Sequence, residues 1–92
     1  MPYRIELTPA ADRQVDRLRG IAQLAVRGVI LGVATDPRPR GAGRLAGTRD
    51  LWRIRLRIDG HPWRVVYRLD DSRQLIVVTR VVRRDEGTYR GL

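Results

Sequence analysis

The sequence predicts a small α+β domain in which two N-terminal helices pack on one face of an antiparallel, twisted sheet, in the order β-α-α-β-β-β. The first half of the chain carries helical capping signals and periodic apolar residues, whereas the second half contains three alternating or apolar runs separated by turns. The chain has 92 residues and contains no linker, internal repeat or low-complexity tract. We therefore expect a single domain over residues 1–92.

The first half is predicted to contain one strand and two helices. Residues 3–7 (YRIEL) alternate as a short strand does. Thr8 as N-cap and Pro9 at the first helical position begin a helix, and Gly20 is expected to end it. Residues 21–35 form a second helix that is apolar on nearly every side, so it needs contacts on two sides. One side is the sheet; for the other we favour the first helix over a partner protein.

The second half is predicted to contain three strands after a loop. Residues 36–50 are rich in Gly, Pro and Arg and are expected to form a connecting loop, in which Arg38 and Arg40 are solvated. Residues 51–58 alternate strictly, with Trp52, Ile54, Leu56 and Ile58 toward the core and Arg53, Arg55 and Arg57 away from it. A turn over 59–62 (DGHP) leads into a strand over 63–69. The last run, 74–82, is apolar on both faces until Arg80, which is typical of a central strand.

The charge balance indicates a polyanion or an acidic protein as a partner. The chain has 19 basic residues against 10 acidic ones, for a net charge of +9, and every basic residue is arginine. A guanidinium group can form two parallel hydrogen bonds to a phosphate and can stack on a ring. A GC-rich genome explains much of the preference for arginine over lysine, but it does not explain the excess over acids. That excess is typical of nucleic-acid-binding domains.

Several kinds of chemistry are excluded by composition. The chain has no cysteine and one histidine, so we expect no disulfide, thiolate catalysis, zinc site or other cofactor. It lacks a Ser–His–Asp set, and its carboxylates are not spaced as a catalytic pair. The longest apolar stretch, residues 21–34, is too short to cross a bilayer, and the N-terminus is charged where a signal peptide is apolar. A cytoplasmic protein without a membrane partner is expected.

Arginine and tyrosine are the remaining candidates for catalysis. The outward row of Arg53, Arg55 and Arg57 is expected to lie ~5 Å from Arg64 on the neighbouring strand, and an anion between such like charges would relieve their repulsion. Arginine can stabilise a phosphate as it gains charge, and RNA supplies its own nucleophile, the 2′-hydroxyl. The alternative is an ordinary solvated face, neutralised by acids from elsewhere in the fold. His61, in the predicted turn, is expected to be an exposed turn residue.

Four segments of the chain together resemble the RelE/ParE toxin superfamily of bacterial type II toxin–antitoxin systems. These are YRIELTPAADRQVDRL, DPRPRGAGRLAG, LWRIRLRIDGHPWRVVYRLDD and VTRVVRRDEGTYR, and they cover essentially the whole chain. The first segment is generic. The pattern L-x-G followed by WRIR and WRVVY is similar to the RelE branch, whose ribosome-dependent members cut mRNA in the ribosomal A site.

The resemblance implies a role for individual residues. It gives Arg53 and Arg55 contact with the scissile phosphate, Arg64 a second phosphate contact, and Arg84 stabilisation of the leaving side. It also makes Tyr89 the residue that stacks on a base and aligns the 2′-hydroxyl. The implied catalytic residues are Arg55, Arg64, Arg84 and Tyr89, and the implied RNA-binding or phosphate-binding residues are Arg53, Arg55, Arg64, Arg83 and Arg84. The chain departs from the family where Val82, Arg83 and Arg84 replace a common Gly-His-Arg.

The resemblance implies a toxin that acts as a metal-independent, ribosome-dependent mRNA endoribonuclease and inhibits translation. The 2′-hydroxyl would attack the adjacent phosphate, giving a 2′,3′-cyclic phosphate and a 5′-hydroxyl. Two alternatives stay open: a ParE-like inhibitor of DNA gyrase without nuclease activity, and a degenerate toxin that only binds its antitoxin. The expected partners are a cognate antitoxin, in a heterodimer or heterotetramer, together with the ribosome and mRNA.

Overall fold

The computed structural model describes residues 2–84, which form two helices and five strands. Met1 and residues 85–92 lie outside the described part, and Tyr89 is among them. In chain order the elements are β1 (Arg4–Leu7), α1 (Pro9–Arg17), α2 (Gly20–Thr35), β2 (Ala42–Arg44), β3 (Leu51–Ile58), β4 (His61–Asp70) and β5 (Leu75–Arg83).

The strands form one sheet in the order β1-β5-β4-β3-β2. The predicted α+β class and element order are confirmed, with two differences. The sheet is mixed and not purely antiparallel, because β1 pairs in parallel with β5 while the other pairs are antiparallel. Strands joined by a tight turn must pair antiparallel, but both helices lie between β1 and the later strands in the chain. This long connection allows β1 to pair in parallel. The predicted loop also contains the short edge strand β2, whose three residues are too few to show an alternating pattern.

The first helix begins as predicted and ends earlier. The hydroxyl oxygen of Thr8 accepts a hydrogen bond from the Ala11 N–H at 3.2 Å, which satisfies one of the unpaired donors of the first turn. Ala11 and Val15 are fully buried one helical turn apart and join the sheet's core. The helix ends at Arg17, and Gly20 begins α2 with a φ of 54°, so this glycine starts the second helix instead of stopping the first.

The second helix contacts both the sheet and α1, as predicted, and still exposes apolar residues. Val26, Ile30 and Val33 pack in the core. On the α1 side, the Gln23 side-chain amide donates to the carbonyl oxygens of Val15 at 3.1 Å and Leu18 at 3.2 Å. A third face, the α2 stripe, consists of side chains that are about 70% exposed: Ile21 69%, Leu24 72% and Leu31 69%.

The β3–β4 hairpin separates the apolar and arginine faces as the alternation predicts. Ile54 and Ile58 on β3 are buried on the side that packs against the helices, as are Val65 and Tyr67 on β4. We call the opposite side of the sheet the outer face. The turn itself is only Asp59 and Gly60, with φ values of 51° and 78°, a combination that favours tight two-residue hairpins. His61 and Pro62, predicted to be in the turn, belong to β4.

A β-bulge in β5 changes which residues reach the outer face. Val66 pairs with Arg80, whereas the next residue, Tyr67, pairs with Val78, so Thr79 is left over. Beyond the bulge, Val81 faces the core while Arg80 and Val82 face outward. Strict alternation from Ile76 and Val78 would have directed Arg80 into the core.

Candidate nucleic-acid interface

The outer face contains two arginines in direct cross-strand register. Arg55 on β3 pairs with Arg64 on β4, which confirms the predicted neighbour relation. Arg55 is exposed, but Arg64 is only 9% exposed and is the buried charged residue of the described core. The burial follows from the strand order, because β4 lies between β3 and β5 and Arg64 has Arg55 on one side and Val82 on the other.

Arg84 joins Arg55 at the end of the sheet near the hairpin turn. Its backbone N–H donates to the Pro62 carbonyl oxygen at 2.9 Å, which continues the β4–β5 ladder one residue past β5. Its side chain lines a pocket of about 330 Å³ together with Arg55, Arg57 and Trp63. We call this the turn-end pocket. Arg55 is therefore common to both groupings, opposite Arg64 on the sheet and beside Arg84 in the pocket.

Arg53 lies on the outer face but is turned toward the sheet edge. Its Nη1 donates to the Gly41 carbonyl oxygen at 3.4 Å. The guanidinium group lies over Gly43 of β2, where a Cβ atom would come within 2.8 Å of both Nη1 and Nη2. The absence of a side chain at Gly43 thus creates the space that Arg53 occupies, and Arg53 is directed away from β4.

Arg83 lies on the other side of the sheet from Arg84. It pairs with Trp63 and lines a pocket on the helix side with Gln14 and Arg17. Alternation along β5 causes this separation, since neighbouring residues of a strand point to opposite faces. The structure therefore does not bring Arg83 together with Arg55, Arg64 and Arg84. Tyr89, the last of the residues singled out from the sequence, lies outside the described residues.

Some arginines of the outer face and the loops have partners among the described residues. Arg68 pairs with Asp50 at 3.2 Å. Arg57 donates to the Gly60 carbonyl oxygen at 3.0 Å. Within residues 2–84, the side chains of Arg55, Arg80 and Arg84 form no ion pair or hydrogen bond. As far as the described residues are concerned, these three cations are therefore available to an anion.

The two carboxylates at the β4–β5 turn, Asp70 and Asp71, have hydrogen-bond partners of their own. The Arg38 guanidinium and the Tyr3 hydroxyl both donate to Asp71, and these bonds, that of Arg38 foremost, lower the pKa of the Asp71 carboxyl below its ordinary value. Ser72 and the Arg73 N–H do the same to the pKa of Asp70. Arg38, which was predicted to be solvated, also lies 5.2 Å from the centre of the Trp52 ring and so holds the connector, residues 36–50, against the sheet.

The buried side chain of Tyr67 also holds the connector against the sheet. The Tyr67 hydroxyl donates to the Pro37 carbonyl oxygen at 2.6 Å, and burial raises the pKa of this phenol to about 12. Tyr67 therefore stays protonated and acts as a structural donor, which removes it from the candidates for proton transfer.

Arg80 is an outer-face residue that sequence reasoning did not select. It faces outward only because of the bulge at Thr79, which no period-2 pattern predicts. The one available signal was the polar pair Thr79–Arg80 inside an otherwise apolar run.

Residues 2–84 contain no cluster of three His, Cys, Asp or Glu side chains that could hold a metal ion. Over the same residues, neither helix is long and apolar enough to cross a membrane. The outer face carries several arginine side chains, which can bind phosphates and stabilise charge that develops on them.

Solved toxin structures share this fold. A free mutant of Escherichia coli RelE is 22% identical, over 92% of this chain and 86% of that one, with a TM-score of 0.76. The toxin–antitoxin complex RelBE2 of Mycobacterium tuberculosis is 26% identical over 94% and 95%, with a TM-score of 0.75. The archaeal RelE–RelB complex of Pyrococcus horikoshii is 24% identical over 94% and 99%, with a TM-score of 0.66.

Sequence comparison gives the family directly. No curated protein matches the chain. The family described as the ParE toxin of the type II toxin–antitoxin system parDE matches residues 5–87, which is most of the sequence. The chain therefore belongs to the ParE toxin family of type II toxin–antitoxin systems, within the RelE/ParE superfamily.

Proposed function

We propose that this toxin is a ribosome-dependent endoribonuclease that cuts mRNA and so inhibits translation. The observation that carries the proposal is the grouping on the outer face, where Arg55 lies opposite Arg64 and shares the turn-end pocket with Arg84. Two guanidinium groups that line one pocket, with a third opposite one of them on the sheet, are suited to a phosphate whose charge increases during a reaction. The likeness to RelE structures supports the proposal at the level of the fold.

The reaction needs no nucleophile from the protein. The 2′-hydroxyl oxygen of one nucleotide attacks the adjacent phosphorus, and the bond from phosphorus to the 5′-oxygen of the next nucleotide breaks. The 2′-oxygen gives up its proton and the departing 5′-oxygen takes one, leaving a 2′,3′-cyclic phosphate and a 5′-hydroxyl. Arg55 and Arg64 stabilise the charged phosphate, and Arg84 stabilises the departing oxygen. The arginine charges take the part that a metal ion plays in other nucleases.

Proton transfer requires other groups than the arginines. The pKa of a guanidinium group stays above ~12, so it cannot act as a base near neutral pH. We assign to Tyr89 the stacking on a base and the alignment of the 2′-hydroxyl, and to the ribosomal surroundings and water the remaining proton transfers. The reaction is consequently slow on naked RNA and fast on the ribosome.

Primer extension on mRNA tests this function. The purified toxin is added to mRNA alone and to mRNA engaged by translating ribosomes, and the 5′ ends of the fragments are mapped. We expect cuts only with ribosomes, and far fewer with Arg84→Ala. The control variant is Arg13→Ala, which removes one charge from the exposed side of α1. Absence of cuts at excess toxin, or undiminished cutting by Arg84→Ala, would contradict the proposal.

Inhibition of DNA gyrase is the second candidate, because the family that matches the sequence is described as the ParE toxin and ParE-type members inhibit gyrase. This function requires a basic surface but no arginine grouping around a scissile phosphate. A supercoiling assay separates the two candidates. Loss of supercoiling that is equal for wild type and Arg84→Ala, with translation intact, would favour gyrase inhibition.

We further propose a cognate antitoxin as the protein partner, in a heterodimer or heterotetramer. Two features support it: the net charge of +9, which favours an acidic segment, and the exposed α2 stripe, which can accept an apolar one. Such a segment is expected to be disordered when free and to fold on binding. Copurification with the product of the neighbouring reading frame, followed by measurement of the mass of the complex, tests the partner and its stoichiometry.

A further inference from the structure

The outer face contains a second cleft, at the end of the sheet away from the turn-end pocket. It encloses about 460 Å³ between the strands and the segment that leads into β3. Leu45, Leu51 and Val66 form its apolar part, and the side chains of Arg68 and Arg80 line it as well. We call it the far cleft. Neither the sequence patterns nor the grouping of Arg55, Arg64 and Arg84 assigns it a role.

The bulge in β5 is what brings a cation to this cleft. Because Thr79 is the unpaired residue, Arg80 lies on the outer face opposite Val66, instead of following Val78 into the core. The Thr79 hydroxyl donates to the Val66 carbonyl oxygen at 3.2 Å, which replaces part of the interrupted ladder. Bulges that direct a side chain toward a binding site are a recurrent feature of sheets.

The polar groups of the cleft are occupied, with one exception. Arg68 pairs with Asp50, and the Thr48 hydroxyl donates to the Leu45 carbonyl oxygen at 2.8 Å. In the part of the chain that the structure describes, the Arg80 side chain forms no ion pair or hydrogen bond. The cleft therefore offers an apolar surface beside one available guanidinium group. A nucleotide matches this combination, since its base can stack on apolar or guanidinium surfaces and its phosphate can bind Arg80.

The far cleft lies on the same face of the sheet as the candidate site and close to it. Arg80 pairs with Val66, which is two residues along β4 from Arg64. Two residues of a strand span ~7 Å, and adjacent strands lie ~5 Å apart. Arg55, Arg64 and Arg80 thus lie on the outer faces of three neighbouring strands, and Arg84 directly follows β5. An RNA strand with its scissile phosphate near Arg64 would carry a further phosphate toward Arg80, which favours RNA over an acidic peptide as the ligand.

We propose that the far cleft binds a nucleotide of single-stranded RNA that flanks the cleavage position, with its base against Leu45 and Leu51 and its phosphate on Arg80. This inference rests on the proposed nuclease function and extends it to a binding site outside the reacting group. The site adds affinity and orientation without taking part in the bond changes. Its loss should therefore weaken RNA binding while leaving the cleavage step itself in place.

The test is a binding titration with uncleavable RNA. Fluorescent RNA oligonucleotides of increasing length, with a 2′-O-methyl group at every position, are titrated with toxin at several salt concentrations. We expect Arg80→Gln to weaken the binding of the longer oligonucleotides about tenfold and that of the shortest ones little. The slope of log K against log salt concentration should fall in magnitude by about 0.7, the value for one phosphate contact on a single strand. Arg13→Gln, which removes the same charge from α1, should show neither change.

A crosslinking experiment provides the second measurement. Oligonucleotides with a single 4-thiouridine moved along the strand should crosslink to the segment around Leu45–Leu51 from one position only, and Arg80→Gln should weaken that crosslink. Arg80→Gln behaving like Arg13→Gln would overturn the inference, as would an effect of Arg80→Gln on antitoxin binding alone. Ribosome-dependent cleavage is measured in parallel. If the wild-type toxin cleaves mRNA and Arg80→Gln binds RNA as well as the wild type does, only the far-cleft inference is wrong. If Arg80→Gln weakens RNA binding as expected but the wild-type toxin does not cleave, the nuclease function is wrong.

Discussion

Arg55 and Arg64 face each other across the β3–β4 ladder, with Arg55 exposed and Arg64 only 9% exposed. Like charges in directly opposed positions destabilise a sheet, because their side chains share one small region. An anion bound between the two guanidinium groups would lower the repulsion between them. This relationship connects the stability of the sheet to the binding of phosphate.

Arg55→Gln should make the free protein more stable while weakening RNA binding. Removing one of two opposed charges relieves repulsion, and we expect a gain of a few tenths of a kcal/mol in the free energy of unfolding. Urea unfolding measures it. Arg13→Gln corrects for the general effect of lower net charge, so the gain must exceed that of the control. A loss of stability in Arg55→Gln would show that the opposed pair is not repulsive.

Tyr67→Phe should destabilise the protein more than Tyr3→Phe. The Tyr67 hydroxyl is buried and donates to the Pro37 carbonyl oxygen, and its loss leaves that acceptor without its donor, at a cost of about 1 kcal/mol. The Tyr3 hydroxyl donates to Asp71 at an exposed position, where water can replace it. Urea unfolding of the two matched variants tests the difference. Equal losses would mean that the Pro37 contact contributes nothing beyond an exposed bond.

Acidic pH should lower the free energy of unfolding, partly through protonation of Asp71. Arg38 and Tyr3 hold the pKa of this carboxyl below its ordinary value of 3.8, so their stabilisation is fully present above that value. It is lost as the pH falls through the lowered folded-state pKa. Asp71→Asn should therefore be less stable than wild type at pH 6, and the difference should shrink as the pH falls below 4. A difference that stays constant from pH 6 to pH 2.5 would contradict this assignment.

Gly43→Ala should displace Arg53 without disrupting the sheet. The new Cβ would lie 2.8 Å from Arg53 Nη1 and Nη2, which are the far end of a flexible side chain, and Gly43 needs no positive φ. We expect a change in unfolding free energy below about 1 kcal/mol. The guanidinium resonances of Arg53 should shift in NMR spectra. Unshifted resonances would show that Arg53 does not rest on Gly43 in solution.

Most of the fold was predictable because its signals are local. The cap at Thr8, the alternation of 51–58 and the presence of a turn after Ile58 each depend on neighbouring residues, and the structure confirms them, although the turn is shorter than the predicted 59–62. The parallel pairing of β1 with β5 was not predictable, since it joins residues about 70 positions apart through two helices. The edge strand β2 is only three residues long, too short for a periodic signal.

The candidate site was predictable only in part, for the same reason. The opposition of Arg55 and Arg64 follows from two alternating strands and a short turn, and the structure confirms it. Arg83 was grouped with Arg84 by its motif, although consecutive strand residues point to opposite faces. Arg80 was missed because one extra residue, Thr79, reverses the alternation of β5. A bulge leaves no periodic signature in the sequence.

The most direct test of the central claim is the single-turnover rate of mRNA cleavage on the ribosome, at saturating toxin, for Arg84→Gln against Arg13→Gln. Both variants lose one exposed charge, but only Arg84 lies in the turn-end pocket with Arg55. We predict a rate about 10²-fold to 10³-fold lower for Arg84→Gln, with unfolding free energy unchanged, and a wild-type rate for Arg13→Gln. Equal rates for the two variants would contradict the claim that the outer-face arginines stabilise the reacting phosphate.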